Sequence, residues 1–136
     1  MQSFYDAIRF YKLDFERKKK IIRTLRKVFA NEERIKLALV FGSLTTRQSV
    51  RDVDICIYSA PTIDFNRLLD INARVELEIG IPVDISELSN LPPSIRIKVL
   101  RHGVLLKGSR RLCCQLLDLA YSELMKMTTP KPTTRI

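Results

Sequence analysis

Residues 40–55 read VFGSLTTRQSVRDVDI, and this stretch joins two apolar segments through a polar loop. The first apolar run meets Gly42 and Ser43, and the second begins around Asp52 and Asp54. This pattern predicts a strand, a tight turn and a second strand that carries carboxylates. Gly42 would let the backbone come close to a ligand, and Ser43 would add a hydroxyl group there.

A third carboxylate further along the chain is a candidate to join the two acids of this stretch. If the second strand starts at Asp52, its spacing from Asp54 places both side chains on one face. Two neighbouring carboxylates repel each other, so the pair needs a cation. Asp84 is a single acid in the apolar segment 81–85, which also predicts a strand. If the two strands are neighbours, the three acids can hold two Mg²⁺ ions about 3.5–4 Å apart, an arrangement that serves phosphoryl transfer. The alternative is that Asp52 and Asp54 only cap and solubilise a strand end.

The composition bounds the class of protein. A chain of 136 residues fits one domain and can bury a core of its own. Its three cysteines, Cys56, Cys113 and Cys114, lack the spacing of metal ligands, so we expect reduced thiols in a cytoplasmic protein. No apolar run approaches the roughly 18 residues of a membrane span, and acids interrupt the N-terminal stretch where a secretion signal would lie.

The net charge of +9 is unevenly distributed. Residues 1–36 carry +6, residues 37–95 carry −4, and residues 96–136 carry +7. The acidic centre suits metal binding, and the basic flanks could attract a nucleotide, an RNA or an acidic protein. A solvated basic surface is the favoured explanation for most of these lysines, so nucleic acid is a possible partner but not the favoured one.

Hydrophobic periodicity predicts an α+β fold of α/β-like character, with a small mixed sheet of three to four strands and helices packed on it. The predicted helices cover residues 3–29, 64–79, 94–101 and 112–127, and the predicted strands cover 35–41, 52–59, 81–85 and 104–107. We divide the chain into a helical N-terminal extension (1–34), a main domain (35–127) and a mobile tail (128–136). Asp64 and Gly80 are the expected ends of the second helix.

The order of these motifs resembles the nucleotidyltransferase superfamily that includes DNA polymerase beta. The pair Gly42-Ser43, followed by Asp52-Val53-Asp54, is similar to the signature of that superfamily, and most of all to its minimal nucleotidyltransferases. Val83-Asp84-Ile85 resembles the strand of the third carboxylate, and residues 97–106 resemble the helix-glycine-strand ending. The resemblance covers about residues 35–108 and implies the nucleotidyltransferase fold, here with an extra N-terminal helix.

The resemblance also implies roles for these residues. Asp52 and Asp54 would bind both Mg²⁺ ions together with the triphosphate, and Asp84 would bind the catalytic ion and help to activate a hydroxyl group. Gly42 and Ser43 would contact the β- and γ-phosphates. Arg47 and Arg51 are further candidates for phosphate contacts, with a solvent-facing position as the alternative for both.

In the family, minimal nucleotidyltransferases often pair with a helical HEPN protein as antitoxin and toxin, and some adenylylate that partner. The resemblance therefore implies transfer of a nucleoside monophosphate, with ATP the expected donor, to a hydroxyl on a partner protein or at a homo-oligomer interface. The alternative is a non-catalytic binding module, such as an antitoxin that neutralises its partner by contact. A metal-dependent phosphohydrolase is disfavoured because no histidine or nucleophile accompanies the acids.

Overall fold

A computed structural model describes residues 11–42 and 49–128. In chain order the elements are β1 (Tyr11–Lys12), α1 (Phe15–Ala30), β2 (Ile35–Phe41), β3 (Ser49–Val50), β4 (Val53–Ser59), α2 (Phe65–Ile79), β5 (Val83–Glu87), a 3₁₀ turn (Leu88–Asn90), α3 (Pro93–His102), β6 (Val104–Lys107) and α4 (Arg110–Thr128). No helix in the described ranges is long and apolar enough to span a membrane.

Four strands form a mixed sheet in the order β5-β4-β2-β6, which confirms the predicted α+β class. The strand β2 runs antiparallel to both β4 and β6, whereas β4 and β5 run parallel. The other two strands, β1 and β3, pair antiparallel in a small sheet of their own. The strands β2 and β4 occupy the middle of the main sheet, and apolar layers cover both of its faces there. This agrees with the near-continuous apolar run of β2.

The side chains of β4 alternate between two apolar layers, as predicted. Val53, Ile55 and Ile57 join the layer formed with α1 and α2. Cys56 and Tyr58 face the opposite layer, which includes Val99 and Leu100 of α3 and apolar residues of α4. Asp54 therefore lies on the α3 and α4 side of the sheet, at the end where β4 begins.

The N-terminal helix is shorter than the sequence predicted. It begins at Phe15 because Asp14 accepts a hydrogen bond from the Arg17 amide as its N-cap, and a two-residue strand precedes it. Residues 3–10 of the predicted helix lie outside the described residues. The first residue of α1, Phe15, is 70% exposed, whereas Ile21, Leu25, Val28 and Phe29 are buried in the core. Asn31 is the C-cap of the helix.

The strand predicted after α2 needed a smaller correction, whereas the ends of α2 were predicted correctly. The strand predicted over residues 81–85 begins at Val83 and runs to Glu87, since Pro82 lies ahead of it, although Ile81 is still buried in the core. The helix α2 has the predicted N-cap Asp64 and the predicted Gly80 in the left-handed conformation after its last turn. Its first residue, Phe65, is apolar, but its side chain is 71% exposed.

Candidate active site

The acids Asp54 and Asp84 lie side by side on neighbouring strands. In the parallel pairing of β4 with β5, Asp54 is directly opposite Asp84. Adjacent strands are about 4.8 Å apart, so the two carboxylates project from one end of the sheet within reach of a shared ligand. The backbone amide of Val53 donates to the carbonyl of Pro82 at 2.9 Å, which aligns the starts of the two strands.

The turn at Gly42 lies against the Asp54 carboxylate. Phe41, the last residue of β2, pairs with Asp54, and Gly42 follows with a φ of +77°. A Cβ atom at Gly42 would come within 2.7 Å of Oδ2 of Asp54. Only glycine combines this backbone conformation with such a close approach to the carboxylate.

The three acids interact electrostatically. The pKa of Asp54 is raised from 3.8 to about 6, mainly by burial and then by the charges of Asp52 and Asp84, while the charge of Arg51 acts in the opposite direction. Asp52 lies one residue before β4, with a guanidinium nitrogen of Arg51 3.8 Å from its Oδ2. The structure thus brings Asp54 and Asp84 together and places Gly42 against Asp54. Asp52 is close enough for its charge to act on Asp54, and Arg51 lies next to Asp52. Ser43 and Arg47 lie outside the described residues.

The donor set suits a hard divalent cation. Carboxylate oxygens are the ligands that Mg²⁺ prefers, and a cation between these acids would relieve the repulsion that raises the pKa of Asp54. Among the described residues, no group of three or more acid, histidine or cysteine side chains is placed so that it could hold a metal ion. Phosphate oxygens and water commonly complete the coordination of Mg²⁺ in phosphoryl-transfer sites.

One supporting residue was not anticipated. Glu76 of α2 accepts a hydrogen bond from the Val83 amide at 2.8 Å and another from Nδ2 of Asn72 at 3.3 Å. Val83 immediately precedes Asp84, so Glu76 fastens the start of β5 to α2. No sequence pattern distinguishes Glu76 from Glu78, which is exposed on the same helix.

Comparison with known proteins now assigns the family. The model of the polymerase beta nucleotidyltransferase domain matches residues 23–111. The chain belongs to this nucleotidyltransferase family. The match begins inside α1 and includes every described residue of the candidate site, and it confirms the nucleotidyltransferase predicted from the GS and DxD motifs. No curated protein sequence gives a significant match.

Solved structures share the fold at low sequence identity. A chain of a mutant MntA-HpeT toxin-antitoxin complex is 20% identical, with a TM-score of 0.66 over 81% of this chain and 88% of its own. A chain of a toxin-antitoxin structure with AMP-PNP is 22% identical, with a TM-score of 0.65 over 81% and 88%. A chain from the tri-AMPylated HEPN toxin of Shewanella oneidensis in complex with MNT antitoxin is 20% identical, with a TM-score of 0.62 over 82% and 87%. These likenesses establish the fold.

Proposed function

We propose that this chain is a minimal nucleotidyltransferase that transfers AMP from ATP to a hydroxyl group of a HEPN-type partner protein and thereby acts as its antitoxin. The observation that carries the proposal is the register of Asp54 with Asp84 beside the turn at Gly42. The fold neighbours add support, because one is described with AMP-PNP and another with an AMPylated HEPN toxin. In this proposal the chain works in the cytoplasm, where its three free cysteines stay reduced.

Each acid has a distinct part in the proposed reaction. Asp52 and Asp54 would hold two Mg²⁺ ions, and these ions would supply positive charge to the triphosphate. The acceptor oxygen forms a bond to the α-phosphorus of ATP, the bond between that phosphorus and the bridging oxygen breaks, and pyrophosphate leaves with the electron pair. Asp84 orients the acceptor hydroxyl and takes its proton, which passes to solvent. Gly42 leaves room for a phosphate next to Asp54, and the guanidinium of Arg51 turns from Asp52 towards the phosphates, with Ser43 and Arg47 as further contacts.

The test is transfer of labelled AMP from ATP to a co-expressed HEPN-type partner in the presence of Mg²⁺. Asp54→Asn should abolish the label, and Asp118→Asn, which alters an exposed aspartate on α4, should leave it unchanged. Chelation of Mg²⁺ should remove the label that the wild-type chain and Asp118→Asn produce. If the wild-type chain binds no nucleotide with Mg²⁺, the proposed reaction is wrong.

The same pair of proteins separates the reaction from neutralisation by contact. A double variant, Asp52→Asn with Asp54→Asn, should fail to protect cells that express the partner. Full protection by this variant would contradict the catalytic proposal and favour a binding module.

A further inference from the structure

The exposed side of α2 carries a row of apolar residues. Phe65, Leu69, Ala73 and Leu77 follow one another at intervals of four, so they form a ridge along the helix. The side chains of Phe65, Leu69 and Leu77 are 71%, 50% and 86% exposed. Ile71, Val75 and Ile79 bury the other side of the helix against the sheet. We call these four residues the α2 row.

The α2 row differs from the other exposed apolar side chains of the described residues. On α4, Leu119, Met125 and Met127 are more than half exposed, but their spacing of six and two residues points them in different directions around the helix. Tyr121 lies four residues before Met125, but it is only 37% exposed and its hydroxyl accepts a hydrogen bond from Arg101, so α4 offers one pair at this interval and not a row of four. A ridge at intervals of four is the surface that packs into the groove of a second helix. The α2 row is therefore suited to a helix of another molecule.

The charges beside the α2 row indicate that the molecule which packs on it is a second copy of this chain. Asp70 and Arg74 flank the row on one side and lie at equal distances before and after position 72, about 3 Å each way along the axis. In a symmetric antiparallel pair of α2 helices centred there, each Asp70 faces Arg74 of the other copy. Among the described residues, neither Asp70 nor Arg74 takes part in a salt bridge. The nearby Arg67 is paired with Glu32 and not with Asp70. The surface is thus complementary to itself in charge.

The sizes of the apolar residues agree with the same arrangement. Ala73 lies one residue from the centre, where its small side chain lets two helices approach closely. Leu69 and Leu77 lie one turn to either side, so Leu69 of one copy can pack between Ala73 and Leu77 of the other. We propose that two copies of this chain associate through the α2 row, antiparallel about position 72. This inference is independent of the proposed nucleotidyl transfer.

The dimer should be weak, because one helix face offers less than the roughly 800 Å² per partner of a standard stable interface. Sedimentation equilibrium of the full chain from about 1 to 500 µM tests it, at moderate salt and without a partner protein. We expect a monomer–dimer equilibrium in the upper part of that range. Leu77→Ser should raise the dissociation constant at least about tenfold, since the residue enters the interface twice. Leu119→Ser, a matched change of an exposed leucine on α4, should leave it unchanged.

The charge pairs provide a second, independent readout. Asp70→Arg should weaken the dimer by about threefold to tenfold, and so should Arg74→Asp, because each places like charges opposite each other. The double variant with both changes restores opposite charges and should recover the wild-type constant. Circular dichroism would confirm that each variant is folded. The proposal would be overturned if the chain stays monomeric throughout the concentration range. It would also be overturned if neither Leu77→Ser nor the charge reversals change the dissociation constant of the dimer.

Discussion

At the scale of single residues, Asp54 couples the proposed chemistry to the stability of the sheet. Its pKa is raised to about 6 by burial and by the charges of Asp52 and Asp84. The folded chain therefore binds a proton at a pH where the unfolded chain has released it. The contribution of Asp54 to stability is most favourable below about pH 4 and is lost as the pH rises through about 6.

The variant Asp54→Asn should consequently be more stable than the wild-type chain at neutral pH. Removing a charge that the fold opposes should raise the free energy of unfolding by about 1–2 kcal/mol above pH 7, after a discount for partial exposure of the side chain. The gain should vanish near pH 4. Urea unfolding at several pH values in a chelating buffer measures it, with Asp118→Asn as the control. If the difference in free energy of unfolding between Asp54→Asn and the wild-type chain is no larger at pH 8 than at pH 4, the electrostatic account of the site is contradicted.

Gly42 allows a second prediction at this scale, because Gly80 provides a matched control. Both glycines have positive φ, +77° and +72°, but a Cβ at Gly80 would meet nothing within 4 Å. Gly80→Ala should cost only the backbone term of about 1–2 kcal/mol. Gly42→Ala should cost more, because the new methyl group displaces the Asp54 carboxylate. Adding Asp54→Ala should recover the difference, and equal costs for the two glycine changes would show that the contact is unimportant.

At the scale of secondary-structure elements, the attachment of β5 determines how Asp84 is presented. Glu76 accepts the outward amide of Val83, the residue before Asp84. Glu76→Ala should lower the free energy of unfolding by about 1 kcal/mol and speed hydrogen exchange at the Val83 amide. Glu76→Gln keeps an accepting oxygen and should retain most of the protection. Hydrogen exchange measured by NMR tests this, with Glu78→Ala as the exposed control. Equal exchange rates at the Val83 amide in all variants would contradict the role given to Glu76.

The elements also show why some features were predictable and others were not. The strand β2 was predicted to the residue, because a continuous apolar run ends sharply at glycine. The predicted start of α1 was wrong, because the apolar residues ahead of Asp14 continue the helical period in the sequence. The true start is set by a single capping hydrogen bond, from the Arg17 amide to Asp14, which periodicity does not reveal. The strand β5 was placed two residues early, because Ile81 is buried in the core without belonging to the sheet.

Some features of the candidate site were likewise predictable from the sequence, and others were not. Spacing alone placed Asp52 close to Asp54, since the two residues are neighbours along one segment. The position of Asp84 opposite Asp54 depends on which strands are adjacent and on their register, and periodicity does not contain that information. The role of Glu76 depends on a contact between α2 and β5, so it became visible only in three dimensions.

At the scale of the whole molecule, the sheet is the unit that must open before its centre becomes accessible. Cys56 lies in β4, between β2 and β5, and is 1% exposed. Burial raises the pKa of its thiol to about 12, and the charge of Glu87 acts in the same direction, so almost no thiolate is present near neutral pH. Cys113 is half-buried and Cys114 is exposed on α4.

The three thiols should therefore react with a maleimide in the order Cys114, Cys113 and Cys56. Because Cys56 is held by strands on both sides, its labelling should require global unfolding and should give the same free energy as urea denaturation. A chain with Cys113→Ser and Cys114→Ser leaves Cys56 as the only thiol, and labelling followed by mass spectrometry gives its rate at each urea concentration. The two serine changes lie outside the sheet and should shift the unfolding midpoint only slightly. Rapid labelling of Cys56 in native buffer would mean that the layer of α3 and α4 over this face opens separately, and the domain would then not unfold as one cooperative unit.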